Sequence, residues 1–338
     1  MVFDHNQKNE PGSSCMRYRI YMETIACVCS ASALELYRSS RRLIPTLLEH
    51  PRTGMACGCS MPPAIMLSDE MTRAGVTTKP YHLLIDGDNA GHARSDVARH
   101  PCNRALPSRA LIKLSNTLYV VSPEFLFLQL AASGDYDEID LVQLGYELCG
   151  TYVLDNSWDG FTCIDTPLTS TDKIFRMLRN MPRHSGVAIA KRALKQVHDM
   201  SNSPMETVLA MLVSLPTCSG GLGLSTISMN SPVNTPDGPR RIDVLLREHK
   251  TGLEYKGKLY HSIEQSGRDD RRQNNLIGSG FSIINVWLED LKQEHLFQQL
   301  IRDIFRTAKI RFRVRVKDFD TKQQLLRARL LPAIERLG

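Results

Sequence analysis

The residue types best suited to chemistry in this chain are Asp243, Glu254 and Lys256, set in the short stretches Arg241-Ile242-Asp243 and Leu253-Glu254-Tyr255-Lys256. Their pattern is D-x10-E-x-K. Side chains alternate along a strand, so Glu254 and Lys256 share one face while Leu253 and Tyr255 take the other. If the strand carrying Asp243 pairs beside this one, both carboxylates can converge on a hard cation, Mg2+ or Mn2+. Such an ion needs only one or two protein carboxylates and fills its remaining positions with water and phosphate oxygens. It would acidify a bound water and screen a phosphate, while Lys256 orients the water and stabilises developing charge. Phosphodiester hydrolysis is the chemistry this set serves. By spacing alone the same residues describe an ordinary solvated strand pair.

The flanking sequence predicts the elements needed to position them. Ser203-Pro204-Met205-Glu206 fits a capping box, with Ser at the N-cap, Pro just inside and Glu at the third helical position, and starts a helix running to about Leu215. Glu206 is therefore both a capping residue and a candidate accessory acid. After the Gly-, Ser- and Pro-rich stretch 216–239 come strand candidates at 242–247 and 252–259, a helix over 267–278, a strand over 281–287 and an amphipathic helix over 290–307. Helix, strands, helix, strand, helix describes an α/β domain with a mixed sheet, its last strand reached through a crossover helix. His261, at the end of the second strand, can serve as general base or phosphate contact near a metal, or simply face solvent. Asp269 and Arg272 stand three apart on the crossover helix, as in a surface ion pair, while Arg271 or Arg272 can instead meet phosphate.

Residues 203–288 resemble the PD-(D/E)XK nuclease superfamily, and within it the domains similar to very-short-patch-repair endonucleases. The resemblance rests on a succession: Ser203 to Glu206, Arg241-Ile242-Asp243, Glu254-Tyr255-Lys256-Gly257-Lys258-Leu259-Tyr260-His261, Asp269-Asp270-Arg271-Arg272 with Leu276, and Gly280-Phe281-Ser282-Ile283-Ile284. It implies a restriction-endonuclease-like sheet flanked by helices, with Asp243 and Glu254 as metal ligands and Lys256 at the lysine position. It also implies Glu206 as an accessory acid, Mg2+ or Mn2+ as cofactor and DNA as substrate. Many relatives read Glu-x-Asp-Gly before the histidine. Lys256 stands here where they have Asp, which restores the broader E-x-K pattern. The stretch 118–132 is faintly similar to the regulatory part of AbiEi-type antitoxins, and with it comes a rival expectation: a non-catalytic DNA-binding regulator that keeps the fold as a platform.

Charge agrees with a nucleic-acid partner. Residues 240–338 carry 21 Lys and Arg against 13 Asp and Glu, so this third holds +8 of a chain whose net charge is +6, and residues 1–239 carry −2. Arg311, Arg313, Arg315 and Lys317 alternate with Phe312, Val314 and Val316, so as a strand all four cations project from one face. That stripe suits phosphate contact, or the protection of an edge strand against pairing.

The length, 338 residues, suits two or three domains, and 42% hydrophobic with 23% charged residues is an ordinary globular composition. The expected segments are an N-terminal region over 1–100, a mostly helical recognition module over 101–200, the nuclease-like domain over 201–310 and a basic extension over 311–338. The first two offer a surface for a protein partner. A helix is expected within 17–40, a loop over 51–63, a strand over 117–121 and helices from Pro123, over 138–149, over 172–181 and over 186–200. Asp86-Gly87-Asp88-Asn89 reads as an ordinary turn, since no calcium loop completes it. The apolar runs are too short for a membrane span or a signal peptide, and nine scattered cysteines suit a reducing compartment, so a cytoplasmic protein without disulfides is expected. The pairs Cys27/Cys29 and Cys57/Cys59 lack the usual spacing of a zinc site.

Overall fold

The computed structural model describes residues 24–39, 47, 49–56, 59–87, 93–103, 105–155, 160–236, 238–257 and 274–331. The fold is mixed α/β, as the sequence leads one to expect. It divides into two compact units, 1–129 and 130–338, a different partition from the four segments expected.

The first unit is built on a six-stranded sheet of order β2-β5-β6-β1-β3-β4. Its strands are β1 (Ala26–Val28), β2 (Arg52–Thr53), β3 (Tyr81–Asp86), β4 (Val97–Cys102), β5 (Leu111–Lys113) and β6 (Leu118–Val121). Helices α1 (Ser30–Ser39) and α2 (Ala64–Arg73) belong to this unit, and α3 (Pro123–Ser133) carries the chain into the second. Ala26 to Cys29 are fully buried, and Ala26 to Val28 form an interior strand of the sheet, although helical periodicity is the expectation there. A short run buried on both sides has no polar face to reveal its period, so sequence alone cannot separate strand from helix. The Tyr37 hydroxyl donates to the Val121 carbonyl at 2.7 Å, pinning α1 to β6. Arg52 meets Glu124 at 2.9 Å, both side chains nearly buried. The expected strand over 117–121 is realised as β6, one of two strands from 111–121 in a sheet that draws four more from 26–102.

The second unit opens with α4 (Glu138–Cys149), the hairpin β7 (Tyr152–Asp155) and β8 (Gly160–Cys163), α5 (Thr171–Asn180) and α6 (Val187–Leu194). Then come α7 (Pro204–Ser214), β9 (Ser228–Thr235), β10 (Gly238–Leu246), β11 (Thr251–Lys256), β12 (Ser282–Trp287), α8 (Leu288–Lys292), α9 (Glu294–Thr307) and α10 (Phe319–Leu330). The sheet order is β12-β11-β10-β9, with β9, β10 and β11 antiparallel and β12 parallel to β11. The parallel closure demands a crossover, and residues 274–278 within it are helical. Strand β9 lies inside the expected loop 216–239. Its sequence, with Pro232 and two Asn, is poor in strand formers and is tolerated because β9 is an edge strand of this sheet.

Two expectations at the C-terminus are corrected. The helix over 290–307 is two helices broken at Gln293. Residues 311–315 join no strand, and the chain continues into α10, whose Arg327 is 6% exposed. The Arg327 guanidinium lies 4.5 Å from the centre of the Phe297 ring, donates to the Leu291 carbonyl at 3.1 Å and pairs with Glu294. No helix among the described residues is long and apolar enough to cross a membrane.

The described cysteines are free thiols: Cys27, Cys29, Cys59 and Cys149 buried, Cys102 half-buried, Cys163 and Cys218 exposed. A thiol-specific reagent applied to native protein should modify Cys163 and Cys218 at once and the four buried thiols only on unfolding, as read by peptide mass spectrometry. Native labelling of Cys149 would contradict the burial of α4.

On β3 and β4, His82 Nδ1 lies 2.9 Å from His100 Nε2, so one ring must be a neutral acceptor. Burial, then the neighbouring His82, holds His100 below the ordinary histidine range. A base depressed in the fold stays neutral while the unfolded chain takes up a proton near the unperturbed pKa of about 6.5, so stability falls as pH drops through that value. Melting temperature should therefore decline between pH 7.5 and 5.5, and His100→Gln should flatten the decline; an identical slope in the variant would rule the pair out as its cause.

Candidate functional site

The site is assembled where β10 and β11 run side by side, with α7 packed against both. The N-cap of α7 is the expected one: the Ser203 hydroxyl accepts from the Glu206 amide at 3.2 Å. Glu206 turns its carboxylate back, accepting from the Asn202 amide at 2.9 Å and the Ser203 hydroxyl at 3.2 Å. It also accepts from Asn230 Nδ2 at 2.6 Å, a bond the sequence did not suggest. Burial pushes the Glu206 carboxyl up, and the bonds from Asn202, Asn230 and Ser203 partly oppose that shift. Glu206 thus joins the start of α7 to β9.

Asn230 stands at an irregular point of the sheet. The β9–β10 register passes from Ile242↔Ser231 to Val244↔Met229, stepping over Asn230 and Asp243. Asn230 has φ +45°, in the left-handed region that Asn tolerates better than most residues. Its amide also donates to the Met200 carbonyl at 2.9 Å, and its carbonyl accepts from Arg241 at 3.0 Å. These contacts hold β9 in place where the ladder is interrupted.

Asp243 lies one residue beyond the last β10–β11 pair, Val244↔Leu253, and so stands beside Glu254 on the neighbouring antiparallel strand. Its Oδ2 accepts from the Tyr255 amide at 2.9 Å, doing the work of a strand carbonyl and fixing the carboxylate against β11. Glu254 is 4% exposed. Lys256 Nζ meets Glu254 Oε2 at 2.9 Å, which realises the side-by-side acid and amine expected from strand alternation. The carboxylate enters this interior with a cation on it.

Two adjacent carboxylates offer the hard oxygen donors that Mg2+ or Mn2+ prefers, and two suffice where water and phosphate complete the coordination. Asp243 and Glu254 therefore fit such an ion as a donor set. Among the described residues no group of three or more His, Cys, Asp or Glu side chains is arranged to hold a metal, and Glu206 is engaged by Asn202, Ser203 and Asn230. His261, Arg271 and Arg272 lie outside the described residues.

The cationic stripe keeps its alternation without a strand. Arg311, Arg313, Arg315 and Lys317 are exposed, and Phe312, Val314 and Val316 are half-buried. Phe312 packs between Phe305 and Phe319, with ring centres 4.4 and 5.8 Å away. Protection of a sheet edge does not account for these charges, because residues 311–315 belong to no strand.

Glu254 is more deeply set than an exposed strand-face acid, so substitutions here carry a stability cost. Lys256→Met should destabilise by about 3 kcal/mol, because it removes the ammonium charge that sits on a buried carboxylate. Adding Glu254→Gln should recover most of the loss. Urea unfolding of wild type, both single variants and the double variant measures this coupling; an unchanged Lys256→Met midpoint would mean that solvent already screens the pair.

Comparison with protein-family models, with curated proteins and with solved structures gives no match for this chain, so its site is read from its own geometry.

Proposed function

We propose that the second unit is a metal-dependent endonuclease that hydrolyses phosphodiester bonds in DNA, of the PD-(D/E)XK type that the sequence resembles. The observation that carries this reading is the placement of Asp243 and Glu254 on adjacent strands, with Lys256 Nζ 2.9 Å from Glu254 Oε2. Asp243 and Glu254 would hold Mg2+ or Mn2+, and the bound ion would supply Lewis-acid stabilisation of phosphate charge and acidify water. The chain's own groups orient the reactants. The Tyr255 amide fixes Asp243, Lys256 fixes Glu254 and offers positive charge to the phosphate, and Glu206 with Asn230 braces the interrupted strand beside them. The cations at 311, 313, 315 and 317 face solvent as a phosphate-binding stripe. His261, Arg271 and Arg272 retain the roles of general base and phosphate contacts in this proposal.

A second reading, a DNA-binding regulator without catalysis, draws on the same ion pair: an ammonium on Glu254 Oε2 competes with a metal for that oxygen. Plasmid nicking in Mg2+ or Mn2+ separates the two. Wild type should cleave, while Glu254→Gln and Asp243→Asn should lose activity by about a hundredfold or more with DNA binding retained. Binding by all three with cleavage by none, on single- and double-stranded DNA, would sink the nuclease reading and leave the regulator. In either case Arg313→Ala with Arg315→Ala should lower the slope of log affinity against log salt by about one to two if both meet phosphates.

A further inference from the structure

The face that carries the candidate site opens towards solvent along the sheet. Register places Glu254 beside Asn285 and Lys256 beside Trp287 on the parallel neighbours β11 and β12, and residues so paired point to the same side. Exposure rises from 4% at Glu254 to 42% at Trp287, with the Lys256 side chain between them at 19%. Trp287 is therefore the most exposed described residue beside Glu254 and Lys256 on this face. Trp287 is also held in place: its amide donates to Asp290 Oδ2 at 2.8 Å at the start of α8, and β12 is an edge strand of this sheet.

Resting on the nuclease reading above, we propose that Trp287 is a stacking platform for an unpaired nucleobase, and that the substrate taken at this site is single-stranded DNA. A 42% exposed indole presents an apolar surface that costs little entropy to order, and every base offers a π-face to stack on it. The neighbouring Lys256 supplies positive charge for the phosphate of the same strand. A duplex keeps its bases stacked inside and presents only its backbone, so it gains the charge contact without the ring contact. Trp287 thus sets the preference for strand form, acting as a binding residue beside the groups proposed for cleavage.

The chain has two tryptophans, Trp158 and Trp287, so Trp158→Phe isolates the fluorescence of Trp287. This 338-residue variant is titrated in EDTA with a short oligothymidine strand and with a hairpin duplex of equal charge. Quenching should saturate with the single strand and be absent with the duplex. Trp287→Ala should weaken single-strand binding by about tenfold and leave duplex binding unchanged, with Trp287→Phe intermediate. Retained DNA cleavage with no quenching, or with equal affinities in wild type and Trp287→Ala, would overturn this inference alone. No binding to either DNA form would overturn it together with the nuclease reading.

Discussion

A carboxylate in the interior of a sheet must bring its own counter-charge, and the Glu254–Lys256 pair meets that demand with two residues of one strand. Glu254 is 4% exposed, and Lys256 reaches it from two residues along the same face. Desolvating both ions is expensive, so a pair like this does not stabilise more than an apolar equivalent would. What it does is fix the direction of the Glu254 carboxylate. On one side of the pair β12 runs parallel to β11, with Asn285 beside Glu254 and Trp287 beside Lys256.

Those strands are arranged to the same end. The β9–β10 register skips Asn230 and Asp243, and both side chains bond away from that ladder. Asp243 takes the Tyr255 amide, and Asn230 ties β9 to the carboxylate of Glu206 and the carbonyl of Met200. Buried backbone and side-chain polar groups need partners, and the polar groups proposed for the site supply them to the Tyr255 amide and the Met200 carbonyl.

The C-terminal helices serve a different purpose. Arg327, buried over Phe297 and bonded to the carbonyl of Leu291, holds α10 against α8 and α9. With both ends of 311–317 anchored and Phe312 seated between Phe305 and Phe319, the intervening cations point outward. Ordering them beforehand reduces the entropy lost when they meet phosphate.

By itself the sequence determined what depends on neighbours along the chain. The Ser203 cap, the helix starting at Pro204, the shared face of Glu254 and Lys256 and the order of β10, β11 and β12 all follow from capping chemistry and the two-residue period of a strand. The alternation of 311–317 was legible too, but not its lack of a strand partner, because pairing is settled elsewhere in the fold. Tertiary structure alone decided that Glu206 binds Asn230, that Ala26 to Val28 form a buried strand, that β9 closes the sheet with weak strand formers and that Trp287 stands beside Lys256. Each is a contact between residues distant in sequence or a burial on both faces, and neither leaves a local period to read.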